Sequence, residues 1–176
     1  MEPRETTYRD SGPSWIKRIV VAADGSPASI RGLEQVADLA PRVGASVVVV
    51  FVRHSPATAH MAPGMTNPAL AQALEEQESE VRTDVLRLMG GAAVEWELQV
   101  REGSPGEEIA RVAEEKGADL VVVGSNRHSS LHDLLLGSTA AYLATHSLAP
   151  VLVMRSKAPS PMQPDRIPTT AVQSQP

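Results

Sequence analysis

Between Gly124 and Thr139 the chain reads GSNRHSSLHDLLLGST: a glycine closing an apolar run, a polar segment with one arginine and two histidines, then Gly-Ser-Thr. Glycine at the end of a buried strand leaves room for a ligand to approach the backbone. Gly137, Ser138 and Thr139 would open a helix, whose free N–H groups and positive dipole end favour an anion. Together these residues could cradle a phosphate. The same residues also serve a purely architectural purpose, because Gly-Ser is an ordinary helix cap and glycine an ordinary turn residue. This stretch alone leaves both readings standing.

Asp24, in Ala23-Asp24-Gly25-Ser26, is the second candidate. Its carboxylate could accept from a ribose hydroxyl or a base amino group, or it could simply belong to an Asp-Gly turn that feeds a helix. Other chemistries lack support. His54, His60, Met61 and Met65 fit neither a helix face nor a tight chelating turn, so we expect no metal site there. His128 and His132 have no glutamate completing H-E-x-x-H, and neither G-x-x-x-x-G-K-[ST], G-x-G-x-x-G nor G-x-S-x-G occurs. Hydrolytic and hydride chemistry therefore have no motif behind them.

The chain must hold these groups in place with a core almost free of aromatics. Its 176 residues suit one domain with tails, and at 42% hydrophobic but only 3% aromatic the core must be Val, Leu, Ile and Ala. A net charge of -5 without a basic stripe gives no reason to expect nucleic-acid binding. With no cysteine, disulfides, thiolate nucleophiles and Cys-based zinc sites are excluded, and a cytoplasmic location is expected. The longest run of large apolar residues, Val47 to Val52, is far short of the roughly 20 residues needed to cross a bilayer. The opening MEPRETTYRDSGPS carries no apolar leader segment, so export is not expected.

Residues 1–14 are polar and patternless, and 157–176 are Pro-rich, so both are expected as disordered tails around a domain at 15–156. Within that domain the spacing predicts strands at Ile19–Ala22, Ser46–Val52, Val94–Val100, Asp119–Gly124 and Val151–Met154. Helices are expected between them. The first has Ser26 as N-cap and Pro27 at its first position, and runs to Pro41. The second spans about Asn67 to Met89, with Leu70, Leu74, Val81, Val85 and Leu88 in its apolar stripe and Glu75, Glu76, Glu78 and Glu80 among the polar positions. The third starts at Ser104-Pro105 with Glu107 in a capping box, and the fourth runs from about Ser138 to before Pro150. Alternating strands and helices imply parallel βαβ units. The third strand alternates Val94, Trp96, Leu98 and Val100 with polar residues, which fits a sheet edge, whereas the valine runs of the second and fourth fit the centre.

The segments KRIVVAADGSPASIRGLEQVADLA, GASVVVVFV, VREGSPGEEIARVAEEKGADLVVVGS and LLLGSTAAYLATHSLAPVLVMR occur in this order across about Lys17 to Arg155. In them the chain resembles the universal stress protein family. The resemblance implies an open five-stranded parallel sheet in the order 3-2-1-4-5 with helices on both faces, Rossmann-like and akin to adenine nucleotide α-hydrolases. It also implies a homodimer paired along the last strand, Val151 to Met154, an exposed edge that needs cover in any case. Nucleotide-binding members carry Gly, two residues, Gly, nine residues, then Gly and Ser or Thr; here these positions are Gly124, Arg127, Gly137 and Ser138. Asp24 matches the family's adenosine-contacting aspartate, and Val52 the position whose backbone meets the base; Ala22 and Thr139 complete the implied site.

The departure is Arg127, which stands where the middle glycine belongs. Either it fills the phosphate space, because a residue with a Cβ cannot always take glycine's conformation, or its guanidinium itself binds phosphate. Three functions follow. One is a stress-response protein holding ATP or another adenine nucleotide, with Mg accompanying it, between the first and fourth strands. A second is a nucleotide-free dimeric interaction protein whose site Arg127 blocks. The third is an enzyme of the related hydrolase type, for which no general base is visible; a non-enzymatic role is expected.

Overall fold

The computed structural model describes residues 15–54, 68–125 and 137–155. Along them strands and helices alternate: β1 (Arg18–Ala22), α1 (Pro27–Val43), β2 (Ser46–Arg53), α2 (Pro68–Met89), β3 (Trp96–Glu102), α3 (Pro105–Lys116), β4 (Leu120–Ser125), α4 (Ser138–His146) and β5 (Val151–Arg155). All five strands are parallel and lie in the order β3-β2-β1-β4-β5, as expected. The expected tails at 1–14 and 157–176 lie outside the described residues.

The valine runs form the middle of the sheet because both of their faces are covered. Val21 lies opposite Val49 of β2 and Val122 of β4, and each is fully buried. One face of the sheet, with Ile19, Val21, Val49, Phe51 and Val122, packs on Leu33 and Val36 of α1 and on Val81 and Val85 of α2. The other, with Val20, Val48, Val50, Val121 and Val123, packs on Ile109 and Val112 of α3 and Ala140 and Leu143 of α4. Two apolar layers thus fix which strand-end residues face which helices. Among the described residues no helix is long and apolar enough to cross a membrane.

Several local expectations change. Helix α1 continues through Pro41 to Val43 and ends at Gly44, whose φ of 68° is left-handed. The proline falls in the last turn, where the Arg42 Nε donates to the Asp38 carbonyl and the Ala45 N–H to that of Ala40, so few carbonyls are orphaned. Ser104 is the N-cap of α3, yet its side chain makes no capping hydrogen bond. Strand β3 begins two residues later than expected, because the Val94 N–H turns back to the Ala92 carbonyl. Glu78, placed among the polar positions of α2, lies instead in its buried stripe with Val81, Val85 and Met89.

Candidate functional site

The first turn of α1 begins the site. Ser26 is extended, with φ −67° and ψ 153°, and its Oγ accepts from the Ser29 N–H at 3.2 Å. Pro27 follows in the first helical position. Ser29 is buried; its Oγ donates to the Ser26 carbonyl at 3.1 Å and accepts from the Asp24 N–H at 3.3 Å. Asp24 Oδ1 accepts from the Ser26 N–H at 2.9 Å, and Gly25 takes the φ of 78° that this turn requires. The turn therefore uses one carboxylate oxygen of the exposed Asp24 and leaves Oδ2 without a partner among the described residues.

Ala22, Asp24, Val52, Gly124 and Thr139 line one cleft at the carboxyl ends of β1, β2 and β4. These residues were singled out from the sequence, and the sheet brings them together. The cleft floor is Val50, Val123 and Ile109, all buried. Its volume is about 50 Å³, room for only a few waters at roughly 10–15 Å³ each, so a larger ligand would lie across the strand ends. Gly137 and Ser138 do not line it: Gly137 is the N-cap of α4 and Ser138 its first, exposed residue. Arg127 lies outside the described residues, as do His128 and His132.

The N-cap of α4 is Gly137, which has no side chain to cap with, and the first intrahelical bond runs from the Ala141 N–H to the Gly137 carbonyl. The N–H groups of Ser138, Thr139 and Ala140 thus have no partner within the helix, the usual state of a helix start that can receive an anion. Thr139 carries this turn to the cleft wall.

Gly124 lines the cleft and also meets a packing requirement. A Cβ added there would lie 2.7 Å from the Ser29 nitrogen and 2.9 Å from the Ala28 carbonyl carbon. Its missing side chain makes room for α1. Beyond it Ser125 is 3% exposed, and its Oγ has no hydrogen-bond partner among the described residues. Sequence reasoning passed over both Ser29 and Ser125: Ser125, following Gly124, looks like any turn serine, and Ser29 like any residue in the first turn of a helix.

On the opposite face, α2 braces the same strand ends. Glu78 is 7% exposed and receives the Nε of Arg53, at the end of β2, at 2.6 Å and the Nε of Arg82 at 2.8 Å. Burial pushes the Glu78 carboxyl up, but hydrogen bonds and charge from Arg82 and Arg53 together hold it below the ordinary 4.5. Next to it, Gln77 Nε2 donates to the Asp24 carbonyl at 3.3 Å. The sequence did carry a signal: Glu78 falls four residues after Leu74 and three before Val81, inside the apolar stripe, with Arg82 at i+4.

Two roomier hollows lie elsewhere. One of about 210 Å³, lined by Arg18, Glu97 and Lys116 among others, opens at the amino ends of the strands, the wrong end for a ligand of a parallel sheet. Three of its charged residues are engaged, Lys116 Nζ with Glu97 Oε1 at 2.6 Å and an Arg18 guanidinium N–H with the Lys116 carbonyl at 2.5 Å. The other, about 400 Å³, lies between α3 and α4 beside Tyr142 and His146.

Residues 16–155 match the model of the Universal stress protein family. The universal stress protein MJ0531 of Methanocaldococcus jannaschii is 30% identical over 146 residues, covering 82% of this chain and 85% of that protein. Among solved structures, the universal stress protein UspA from Lactobacillus plantarum aligns over 81% of this chain and 99% of its own with a TM-score of 0.67 at 24% identity, a likeness of fold. A universal stress protein solved in complex with cAMP aligns over 81% of this chain and 99% of its own, with a TM-score of 0.53 and 26% identity.

Proposed function

Because the chain belongs to the universal stress protein family, we propose that it binds an adenine nucleotide, ATP foremost, across the carboxyl ends of β1, β2 and β4. The observation that carries this reading is the meeting of Asp24 and Thr139 in one cleft: a carboxylate oxygen without a partner among the described residues on one wall and a helix start with a glycine N-cap on the other. Asp24 Oδ2 would accept from the ribose or the base amino group, and the backbone at Val52 would meet the base edge. The N–H groups at Ser138 and Thr139 would receive phosphate oxygens. A relative solved with cAMP supports the adenine class.

Binding, not turnover, is the proposed activity. The polar groups of the described cleft are a carboxylate, two hydroxyls and backbone amides, which bind and orient; none is arranged as a nucleophile with its base. No described group of three or more His, Asp or Glu could hold a metal ion, so any Mg would ride on the phosphates. We also propose a homodimer paired through the β5 edge, where Leu152 is 43% exposed and Leu148, just before the strand, is 86% exposed.

The competing reading, a nucleotide-free dimeric interaction protein with the site closed by Arg127, is favoured by the small volume of the cleft. Nucleotide extraction from the purified protein, then titration with ATP, ADP, AMP and cAMP, separates the two. Saturable binding below millimolar ligand supports the nucleotide reading, and its absence overturns it. An Arg127→Gly variant that gains affinity assigns Arg127 as the block; one that loses ATP affinity more than adenosine affinity assigns it as a phosphate ligand.

A further inference from the structure

The two strand ends that would hold the adenosine part of the ligand are gripped by adjacent residues on α2. Gln77 Nε2 donates to the carbonyl of Asp24 at 3.3 Å, while Glu78 Oε2 receives the Arg53 Nε at 2.6 Å. Arg53 directly follows Val52, and side-chain alternation turns it to the α1/α2 face while Val52 lines the cleft on the other face. Val81, one turn further along α2, has its Cγ2 3.5 Å from where a Gly25 Cβ would sit. One turn of α2 therefore touches the backbone of the Asp24 turn and the side chain that ends β2. The β1–β2 ladder runs to Ala22 opposite Val50, and past it the Ala23 N–H donates to the Val50 carbonyl at 2.9 Å, while β3 pairs with the end of β2 as far as Arg53.

We infer that Gln77 and Glu78 are positioning residues that set the separation between Asp24 and Val52, and hence the fit of the adenosine half of the site. This rests on the nucleotide reading above. The helix start of the phosphate half is braced from the other face: α4 packs on the α3 side of the sheet through Ala140 and Leu143, whereas α2 packs on the α1 side through Val81 and Val85. Glu78 alone would be an ordinary buried ion pair fastening a helix. Gln77 is different, because it is exposed, lies outside the apolar stripe, and spends its amide on the carbonyl of a cleft residue. Removing an exposed side chain should not lower stability, so an effect on ligand fit separates positioning from fastening.

The test compares wild type, Gln77→Ala, Glu78→Gln and, as a control on the same helix, Asp84→Asn, which removes only the Asp84 to Arg87 pair. Dissociation constants for adenosine, AMP and inorganic tripolyphosphate are measured beside melting temperature and amide hydrogen exchange. The expected result is about a five-fold loss of adenosine and AMP affinity in Gln77→Ala, of the size one hydrogen bond supplies, with tripolyphosphate and the melting temperature unchanged. Exchange of the Ser26 amide, which Asp24 Oδ1 holds, should speed up in Gln77→Ala and not in Asp84→Asn. Unchanged adenosine affinity with unchanged Ser26 exchange overturns the inference, as does an equal loss of adenosine and tripolyphosphate affinity. If wild type binds neither ligand, the nucleotide reading falls, and the exchange comparison still decides whether α2 holds the Asp24 turn.

Discussion

A Cβ on Gly124 would stand 2.7 Å from the backbone nitrogen of Ser29, so the end of β4 and the first turn of α1 are in direct backbone contact. The contact explains how one small cleft can have Asp24 and Ser29 on the α1 side and Gly124 and Thr139 on the β4 and α4 side. Close approach brings the two halves of the site within reach of one ligand.

Gly124→Ala should therefore be destabilising before it affects any ligand. The atoms in the way are backbone, which cannot rotate aside, so a loss of about 2–3 kcal/mol is expected in denaturant unfolding. Ser125→Ala in the neighbouring position should be neutral or stabilising by up to about 1 kcal/mol, because its buried hydroxyl has no partner to lose among the described residues. Equal behaviour of the two variants would contradict this packing.

Asp24 has two functions that substitution can separate. Asp24→Asn keeps an oxygen to accept from the Ser26 N–H, so stability should hold, while Asp24→Ala should lose about 1 kcal/mol by releasing that amide. Both variants should weaken ATP about tenfold or more in calorimetric titration if Oδ2 accepts from the ligand through a charged hydrogen bond. Unaltered affinity in both removes Asp24 from the site.

Acid should weaken the fold through Glu78 and Glu97. Hydrogen bonding to Lys116 is the main cause holding Glu97 below 4.5, and Arg82 and Arg53 do the same for Glu78 against its burial. For a carboxyl depressed in the folded state, the stabilisation is complete above the unfolded value near 4.5 and is lost as pH falls from there through the folded value. Melting temperature should thus drop more steeply below about pH 4.5 in wild type than in Glu78→Gln, which itself should cost about 2 kcal/mol at neutral pH. Parallel acid limbs would show that Glu78 is not among the groups responsible.

Leu152→Lys with Leu148→Asp places charge on the exposed β5 edge. If β5 pairs with a second copy, light scattering should report a dimer for wild type and a monomer for the double variant, with little change in far-ultraviolet circular dichroism. A wild-type monomer at tens of micromolar would dismiss the edge pairing.

The strands and helices were legible because each announces itself locally. The valine runs of β2 and β4, the Ser26-Pro27 start of α1 and the alternation of β3 are short-range patterns, and the sheet order followed from the family's motifs. Asp24, Gly124 and Thr139 were singled out for the same reason, since each stands at a strand end or a helix start, and Val52 through the family resemblance; all four line the cleft. Glu78 was missed because charge usually marks a solvated face, and its two arginine partners come from different distances along the chain. Ser29 was missed because its hydroxyl matters only once the Asp24 turn folds back over it.

The sequence by itself determined the alternation of strands and helices and the residue types gathered at the carboxyl ends of the strands, because periodicity and capping act over a few residues. Only the tertiary structure decided that Gly124 makes room for α1 and that Gln77 and Glu78 hold the strand ends from the far face. Those facts depend on contacts between residues 25 (Arg53 and Glu78) to 95 (Ser29 and Gly124, 124 − 29) positions apart, whose distances are set by how the two apolar layers pack against the sheet.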